Sequence, residues 1–493
     1  MFNFNSTDNI NTIVRQGAAQ RLTDKEFIEK EIQQFLNSDK RRNMIKGQQY
    51  FNGVHDILKR KRSIAVDGEE VELKNLPSNK IIDNQYKKMV RQKNNHLVGQ
   101  MFTVKSEEVY TEALRLFFDE CFHQLLKNVG RDSLNCGIGW IHVYYDEQGE
   151  LTFRRFRPWQ IIPLWADEDH TQLDAAIRIY EAIQYVGKEE KVVQKIEVYH
   201  AEGISRFILD GNVLEVDPDY PSTEPYFSIG DQGYNWAEIP LIAFKYGEEI
   251  PLLNNIKSLQ DAINLIMSVF TNNMEEDTRN SIIVLINYGG EDVDGLRKKI
   301  FETGVVKVKT REGSPGDVKT LHVEVNSENY KAILEVLKKA LIENAMGYDA
   351  KDDRLGANAN QLNLKSMYND IELDANDTEA EYKTSLKRLL YFINAHLVNA
   401  GIGNFENVEI KIEFNRDMLM NESELIEDIN KDNTVSLITK LGVHPWVSDA
   451  HAEMQLLEEQ WEKERNKNDP YKDTFKQDPD KYLDDGDKNN EDT

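Results

Sequence analysis

Apolar residues recur every three or four positions along two long stretches in the second half of the chain. They are Ile256, Leu259, Ile263, Ile266, Met267, Phe270 and Met274 in the first stretch, and Tyr330, Ile333, Leu334, Leu337, Leu341 and Ala345 in the second. This spacing predicts two long amphipathic helices, the first of roughly 35 Å at about 1.5 Å per residue. Between them, strand-like runs at 281–290, 305–309 and 318–325 and one short helical run predict a small αβ insertion.

The first half of the chain combines helical and strand patterns. Helical periodicity covers residues 24–53, the stretch between Ser78 and Gly99, and residues 113–137. Alternating or β-branched runs follow at 139–165, 175–183, 195–216 and 239–246, separated by Gly and Asp turns. Together these patterns predict an α+β domain built on a mixed antiparallel sheet or a pair of sheets.

A polar segment joins the second long helix to a further helical stretch that starts near Leu362. From Tyr348 to Gln361 the residues are mainly Gly, Asn, Ala and charged residues, with Leu355 as the one large aliphatic side chain. Two helices are usually joined by a short turn, so a longer polar join predicts a mobile loop with a function of its own. An ordinary surface loop is the alternative.

Composition favours a folded protein without a membrane segment. The chain has 493 residues, of which 40% are hydrophobic, enough for several domains or one elongated subunit. It contains no apolar run of about eighteen residues, and residues 1–16 lack the pattern of a secretory signal, so we expect it to stay in the cytoplasm or in a particle assembled there. Cys121 and Cys136 have no Cys or His partner at metal-ligand spacing and are expected to be reduced structural thiols.

The charge of the chain limits how it can bind nucleic acid. Its 86 acidic and 60 basic residues give a formal charge of −26. Phosphates would be repelled over most of such a surface, so tight binding of DNA is not expected. Any contact with DNA is expected to be weak and local.

Motifs of the common enzyme classes are absent from the sequence. It contains no phosphate-binding G-x-x-x-x-G-K-[ST], no H-E-x-x-H and no G-x-S-x-G. Acidic clusters occur at 274–278, 289–295 and 483–492, and the last contains a D-x-D-x-N run. That run lacks the turn glycine after it and the bidentate glutamate of a calcium loop, so it is interpreted as part of a solvated acidic tail. We therefore expect no catalytic site, cofactor or metal, and we expect His96, His123 and His142 to be partly buried with satisfied hydrogen bonds.

The order of several segments resembles the head portal proteins of long-tailed bacteriophages. Among them are "YFNGVHDILKRKR", "LNCGIGWIHVYYDEQGELTFRRFRPWQIIPLW", "IKSLQDAINLIMSVFTNNMEEDTRNSIIVLINYGGED" and "NANQLNLKSMYNDIEL", and the likeness runs from about Arg41 to Glu458. It implies a closed ring of about twelve copies around a channel for double-stranded DNA at one capsid vertex. The resemblance also implies a protein of the virion that is assembled in the host cytoplasm and is not an enzyme.

The resemblance divides the chain into the parts of a portal subunit. It implies an N-terminal segment and α+β wing at 1–249, a first stem helix at 250–280, a clip at 281–325, a second stem helix at 326–347, a tunnel loop at 348–362, a long helix and return strand of the wing at 363–420, a helical crown at 421–466 and an acidic disordered tail at 467–493. In the family the clip lies outside the capsid and the crown faces the packaged genome.

Two sets of site residues follow from this division. The tunnel loop that would touch the passing duplex is formed by Lys351, Asp352, Asp353, Arg354, Leu355, Gly356, Ala357, Asn358, Ala359 and Asn360. An acidic channel wall with a few cations, such as Lys351 and Arg354, would repel phosphate and make only transient contacts. The basic clip surface is formed by Lys298, Lys299, Lys307, Lys309, Arg311 and Lys319, and it is either a partner surface or a solvated face.

The implied partners are further copies of the chain, the passing duplex, the terminase motor, the major capsid and scaffold proteins, and a head-completion or connector protein. Two hypotheses from other classes stay open at this point. The chain could be a DNA-processing packaging enzyme, a nuclease or motor subunit, with an unrecognised site. It could also be a structural scaffold that never contacts DNA.

Overall fold

The computed structural model describes residues 25–66, 69–72, 76–186, 189–211, 213–277, 282–286, 317–321, 327–349, 361–416, 422–432, 434–444, 446–447 and 450–467. The chain forms two compact units. The first contains Met1–Asp349 and Tyr368–Asp417, and the second contains Ala350–Met367 and Met418–Thr493. The fold is mixed α/β, as the sequence predicts.

The first predicted helix, over 24–53, is two helices in the structure. Helix α1 spans Lys25–Asn37 and α2 spans Asp39–Phe51. Ser38 separates them because its backbone is extended and its Oγ accepts a hydrogen bond from the backbone N–H of Arg41 at 3.1 Å. Serine at this position caps a helix N-terminus, so it starts a new helix where the apolar pattern alone indicates continuity.

The third predicted helix is also divided by a capping residue. Helix α4 spans Glu108–Arg115 and α5 spans Glu120–Cys136, and the side chain of Asp119 accepts a hydrogen bond from the backbone N–H of Phe122 at 2.7 Å. Cys136 is the last residue of α5. Both cysteines are free thiols, Cys121 exposed and Cys136 buried.

The second predicted helix starts later than the sequence indicates. We expected it to begin just after Ser78, but α3 spans Gln85–Val98, with the side chain of Asn84 accepting from the backbone N–H of Lys87 at 2.9 Å. Pro77 is therefore well outside the helix. The residues between Pro77 and Asn84 instead run along a long helix, and their backbone N–H groups are satisfied by its side chains, as described below.

The strands form small antiparallel sheets. Their bounds are Ser63–Val66 (β1), Glu69–Glu72 (β2), Thr103–Lys105 (β3), Ile138–Tyr145 (β4), Leu151–Phe156 (β5), Ile161–Trp165 (β6), Leu173–Val186 (β7), Glu189–His200 (β8), Gly203–Asp210 (β9), Val213–Val216 (β10), Phe227–Ile229 (β11), Gln232–Tyr234 (β12), Leu241–Lys245 (β13), Ile282–Ile286 (β14), Asp317–Leu321 (β15) and Lys411–Glu413 (β16). The two larger sheets have the orders β10-β9-β8-β7-β6 and β13-β4-β5. The predicted pair of sheets is present, and all their strand pairs are antiparallel.

Three long helices follow the sheets. Helix α6 spans Leu252–Asp277, α7 spans Ser327–Asn344 and α8 spans Gln361–Asn399, which confirms the helical patterns in this half of the chain. Strands β14 and β15 pair with each other between α6 and α7. The second unit contains α9 (Glu422–Lys431), α10 (Leu437–Gly442) and α11 (Ala450–Lys467).

The largest core joins the three-stranded sheet to α5 and α8. Side chains such as Phe122, Ile141, Phe244 and Phe392 are almost fully buried in it. Burial of each such side chain contributes about 1.5 to 3 kcal/mol. This core therefore holds the C-terminal half of α8 firmly against the sheet.

Candidate nucleic-acid interface

Most of the predicted site residues lie outside the described residues. This holds for the ten tunnel-loop residues, 351–360, and for Lys298, Lys299, Lys307, Lys309 and Arg311 of the clip. Lys319 lies in β15, opposite Val284 of β14, and only its backbone is described. What the structure does describe is the framework around these segments: the paired helices α6 and α7, the junction that leads into α6, and the residues before and after the loop.

Helices α6 and α7 pack against each other through both apolar and aromatic contacts. Ile256 and Ile263 of α6 and Leu341 of α7 are fully buried in one core. Farther along, the rings of Phe270 and Tyr330 lie 4.9 Å apart, and the Tyr330 hydroxyl accepts a hydrogen bond from Asn273 Nδ2 at 3.0 Å. The contacts at both places hold the two helices together as a pair.

Helix α6 also carries a line of buried polar side chains. They lie four residues apart, on one face of the helix, and each is at most 6% exposed: Gln260, Asn264, Ser268 and Asn272. We call these four residues the polar seam. Buried polar groups cost free energy unless they are hydrogen-bonded, so their partners explain why they are tolerated.

The partners of the polar seam are backbone groups of the extended segment before α3. Asn272 Oδ1 accepts from the backbone N–H of Asn79 at 2.7 Å, and Ser268 Oγ accepts from that of Ile81 at 2.9 Å. Asn264 Oδ1 accepts from the backbone N–H of Asp83 at 3.1 Å. The helix therefore satisfies every second N–H of this segment, as a neighbouring strand would.

The same arrangement continues to the start of α3. Gln260 Oε1 accepts from the backbone N–H of Tyr86 at 2.8 Å, and Gln260 Nε2 donates to the backbone carbonyl of Asp83 at 2.8 Å. The spacing explains the fit, because four helical residues rise about 6.0 Å and two extended residues about 6.6 Å. The seam residues Asn272, Ser268 and Asn264 therefore meet alternate residues of the extended segment, and Gln260 ends the series by bonding both Asp83 and Tyr86.

His55 is attached to the centre of the polar seam. Its Nδ1 accepts a hydrogen bond from Asn264 Nδ2 at 2.8 Å, and its Nε2 donates to the backbone carbonyl of Tyr50 at 3.0 Å. Both bonds suit neutral imidazole with the proton on Nε2. Burial lowers the pKa of His55, which agrees with this neutral state.

A glycine and a strained glutamate form the junction that leads into α6. Gly137 has φ = +82°, and a Cβ there would lie 2.2 Å from the backbone carbonyl oxygen of Glu249, so only glycine fits. Glu249 itself has φ = +58°, a conformation that a non-glycine residue holds only when its surroundings compensate. The surroundings of its side chain provide that compensation.

The Glu249 carboxylate is buried in an ion-pair cluster. It accepts from Lys40 Nζ at 2.7 Å and from His170 Nδ1 at 2.5 Å, and the ring of His170 stacks on Trp165 at 5.0 Å. Burial alone would raise the pKa of this carboxyl, but the charge of Lys40 and the bonds from His170 and Lys40 outweigh it and lower the pKa to about 2. The cluster connects α2, the five-stranded sheet and the start of α6.

This low pKa predicts how stability depends on pH. The folded carboxyl has a pKa below its usual 4.5, so the folded state favours the ionised form, and its contribution is present above about pH 4.5 and lost as pH falls toward 2. We expect wild type to lose about 3 kcal/mol more stability than Glu249→Gln over this range. Melting temperatures at pH 7, 4.5 and 2 measure the difference.

Glu248→Gln is the matched control, because Glu248 is the exposed neighbour in the sequence. The melting temperature of this control should depend on pH as that of wild type does. If the melting temperatures of wild type and Glu249→Gln change with pH by the same amount, the buried ion pairs do not stabilise the junction.

Tyr348, the first residue of the predicted tunnel loop, is tightly held, and Gln361 and Leu362 at the other end of that prediction already lie in α8. Gln92 of α3 donates through Nε2 to the backbone carbonyl of Tyr348 at 2.9 Å and accepts from its backbone N–H through Oε1 at 3.2 Å. A Cβ on Gly347 would lie 2.8 Å from Met89 Sδ, so the chain passes close to α3 there. The ring of Tyr348 lies 4.6 Å from that of Tyr368 in α8, which joins the residues before and after residues 350–360.

Helix α8 is attached to α3 by buried charges. Lys93 Nζ lies 2.7 Å from Asp374 Oδ2, and the hydroxyl of Tyr246 donates to Asp374 Oδ1 at 2.9 Å. Burial lowers the pKa of the Lys93 ammonium, opposed by the charge of Asp374. Removing either partner would leave the other charge buried and alone, which is costly. The helix that follows residues 350–360 is thus fixed in place.

The predicted histidines are satisfied as expected. His96 Nε2 lies 2.7 Å from Glu372, His123 bonds the backbone carbonyl of Val98 at 3.0 Å, and His142 Nδ1 accepts from Arg154 Nε at 3.0 Å. Within the described ranges, no group of three or more His, Cys, Asp or Glu could hold a metal ion. No helix in the same ranges is long and apolar enough to cross a membrane.

Sequence reasoning missed the polar seam and the contacts of Gln92. The seam had a readable signal, since its four polar residues recur every four positions beside the apolar residues of the same helix. Gln92 had none. Its partner Tyr348 is 256 residues away in the sequence, and a single glutamine in a helix does not indicate such a contact.

Comparisons with known proteins identify relatives over most of the chain. The sequence model of the family described as "Phage portal protein, SPP1 Gp6-like" matches residues 31–468. The chain is 25% identical over 467 residues to the portal protein of Bacillus phage SPP1, covering 92% of this chain and 90% of that protein. It is 27% identical over 445 residues to the portal protein of Clostridium phage phiCD119, covering 87% of this chain and 95% of that one.

Among solved structures, one similar chain comes from the neck of a native GTA particle computed with C12 symmetry. The two chains are 14% identical, the match covers 73% of this chain and 89% of that chain, and the TM-score is 0.35. The family assignment does not depend on this distant likeness. Because the family model spans residues 31–468, well over half of the sequence, the chain belongs to the SPP1 Gp6-like family of phage portal proteins.

Proposed function

We propose that this protein forms the portal ring of a phage capsid. The ring surrounds a channel through which double-stranded DNA passes into the capsid during packaging and out of it during ejection. Membership of the portal family supports this function, and the observation in the structure that carries it is an uncovered apolar face on α7.

The uncovered face lies on one side of α7. Ile333 is 49% exposed and Val336 is 68% exposed, and a three-residue spacing puts them next to each other on the helix surface. Leu334 and Leu337 pack against the core shared with α6, and Ile333 and Val336 form the adjoining face of the helix, which is exposed. A second copy of the chain is the occupant that a ring supplies, because heterologous contacts that close form a ring.

The parts of the portal subunit are assigned in this proposal as follows. The α+β region to residue 249 is the wing, α6 and α7 are the stem, and 281–325 is the clip. The helices of the second unit, α9 to α11, belong to the crown. The clip and its basic residues would contact the terminase and later a head-completion protein, while the wing and crown would meet capsid and scaffold proteins.

Residues 351–360 line the narrow part of the channel in this proposal. The attachment of Tyr348 to Gln92 and its contact with Tyr368 support the idea, because a segment that touches moving DNA needs firm attachment on both sides. The formal charge of −26 supports it as well, since an acidic channel wall does not hold DNA tightly.

We predict that the Ile333→Gln/Val336→Gln double variant fails to form rings. If a neighbouring subunit covers these side chains, the loss is about 2 to 4 kcal/mol per interface, which weakens each contact roughly 30- to 1,000-fold. Mass photometry of the purified protein should show rings for wild type and monomers for the variant.

The control for this experiment is Lys331→Gln/Lys339→Gln, which changes two exposed polar residues on the same helix. It should form rings as wild type does. Rings of normal size from the apolar-face variant would mean that α7 is not in the subunit interface.

End-on electron micrographs of the assembled protein test the function itself. The expected image is a closed ring with a central hole wide enough for a DNA duplex. A ring without such a hole would favour a scaffold that never contacts DNA. Nuclease or ATPase activity of the purified ring would favour a packaging enzyme.

A further inference from the structure

A basic pocket lies beside the C-terminal half of α6. Two segments border it, 58–62 and 77–80, and they bind each other: Arg62 donates to the backbone carbonyl of Pro77 at 3.0 Å, and Lys80 donates to that of Leu58 at 2.8 Å. The pocket has a volume of about 140 Å³. Both bonds run from a side chain to a backbone carbonyl, and they hold the two pocket walls in place.

The charge around the pocket is unusual for this acidic chain. Arg60, Arg62 and Lys80 all line it. Across the described residues, neither Arg60 nor Lys80 forms an ion pair with a carboxylate, whereas the adjacent Lys61 pairs with Glu72 at 3.4 Å. Arg60 and Lys80 therefore bring two positive charges to the pocket that no described carboxylate neutralises.

A buried amide adds a fixed donor to the pocket. Asn272, the last residue of the polar seam, is only 6% exposed. Its Oδ1 accepts from both the backbone N–H and the side-chain Nδ2 of Asn79, at 2.7 and 3.0 Å, so the orientation of the amide is determined. Its Nδ2 group is therefore directed away from Asn79, and it bonds no other described residue although Asn272 lines the pocket.

We propose that this pocket binds a phosphate group. The Arg60 guanidinium, the Lys80 ammonium and the oriented amide N–H of Asn272 match a tetrahedral oxyanion that carries more than one negative charge. A single carboxylate would leave part of this charge unbalanced. The phosphate comes either from the backbone of a DNA duplex or from free phosphate or a nucleotide. Only the identification of a DNA duplex as the source rests on the proposed function. Binding of phosphate by the pocket does not depend on it.

Binding of inorganic phosphate to the purified full-length protein, followed by ³¹P NMR in chloride-free buffer, tests the proposal. Wild type should show saturable binding. Arg60→Gln and Lys80→Gln should each weaken it about tenfold, the effect of one charge-assisted hydrogen bond. The control Lys59→Gln removes an exposed charge next to Arg60 that does not line the pocket, and it should change the affinity less than about twofold.

Competition with DNA then identifies the source. If a duplex displaces phosphate and a duplex with a neutral methylphosphonate backbone does not, the ligand is the DNA backbone. If neither duplex competes while ATP does, the ligand is free phosphate or a nucleotide. Non-saturable binding, equal affinity of Arg60→Gln and wild type, or stronger displacement by polyglutamate than by duplex and ATP would overturn the proposal.

The proposed function is tested separately from this pocket. Ring formation and the channel are seen in micrographs, and neither enters the phosphate assay. A protein that forms rings but binds no phosphate would keep its portal function and lose only this inference.

Discussion

Replacing Asn264 with leucine should reduce the stability of the protein by about 3 to 5 kcal/mol. Asn264 lies at the centre of the polar seam, where it accepts from the backbone N–H of Asp83 and from Gln260 Nε2 and donates to His55. Leucine of similar size would leave the backbone N–H of Asp83 and Nδ1 of His55 without a partner, at about 1 to 3 kcal/mol each, and would remove one of the two bonds of Gln260 Nε2. The melting temperature measures the loss.

Asn255→Leu is the control for this change. It makes the same substitution in the same helix at an exposed position. Its melting temperature should stay close to that of wild type. If the two variants have the same melting temperature, water or a rearranged side chain replaces the hydrogen bonds of Asn264, and the seam contributes little to stability.

The second large effect is expected in DNA translocation. Replacing Gly356 and its neighbours at 357–360 with proline should leave ring assembly intact and reduce DNA packaging at least about tenfold. Proline fixes φ and removes backbone N–H groups, so it restricts a segment that we propose must adjust as grooves and ridges of the duplex pass. The measurement is packaged DNA per particle in an in vitro packaging reaction.

Asn358→Ser/Asn360→Ser is the matched control, because it changes the same segment without restricting its backbone. It should package normally. Normal packaging by the proline variant, or strong hydrogen-exchange protection of 351–360 in the empty ring, would show that DNA is contacted elsewhere.

Elements with a strong local signal could be predicted from the sequence. The apolar spacing in α6 and α7 indicates both helices, and the alternating runs indicate the sheets. The errors occurred where a single side chain decides the outcome. Ser38 and Asp119 each cap a new helix inside an apolar pattern that continues across them, so one predicted helix became two.

Contacts between distant segments account for the other differences between the prediction and the structure. The stretch after Ser78 has helical spacing, but the polar seam offers its N–H groups partners from α6, and the helix starts only at Gln85. That competition depends on residues nearly two hundred positions away, which local patterns do not contain. The position of residues 351–360 rests on the family resemblance, while the attachment of Tyr348 to Gln92 required a structure.

The polar seam also restricts how the lengths of these segments can change during evolution. It matches four residues of α6 to two residues of the extended segment, so inserting one residue into either would shift every later partner out of register. A longer stem of the same design needs about one extra turn of helix together with two extra residues near Asn79. Insertions and deletions in the two segments should therefore occur together, in a ratio close to two to one.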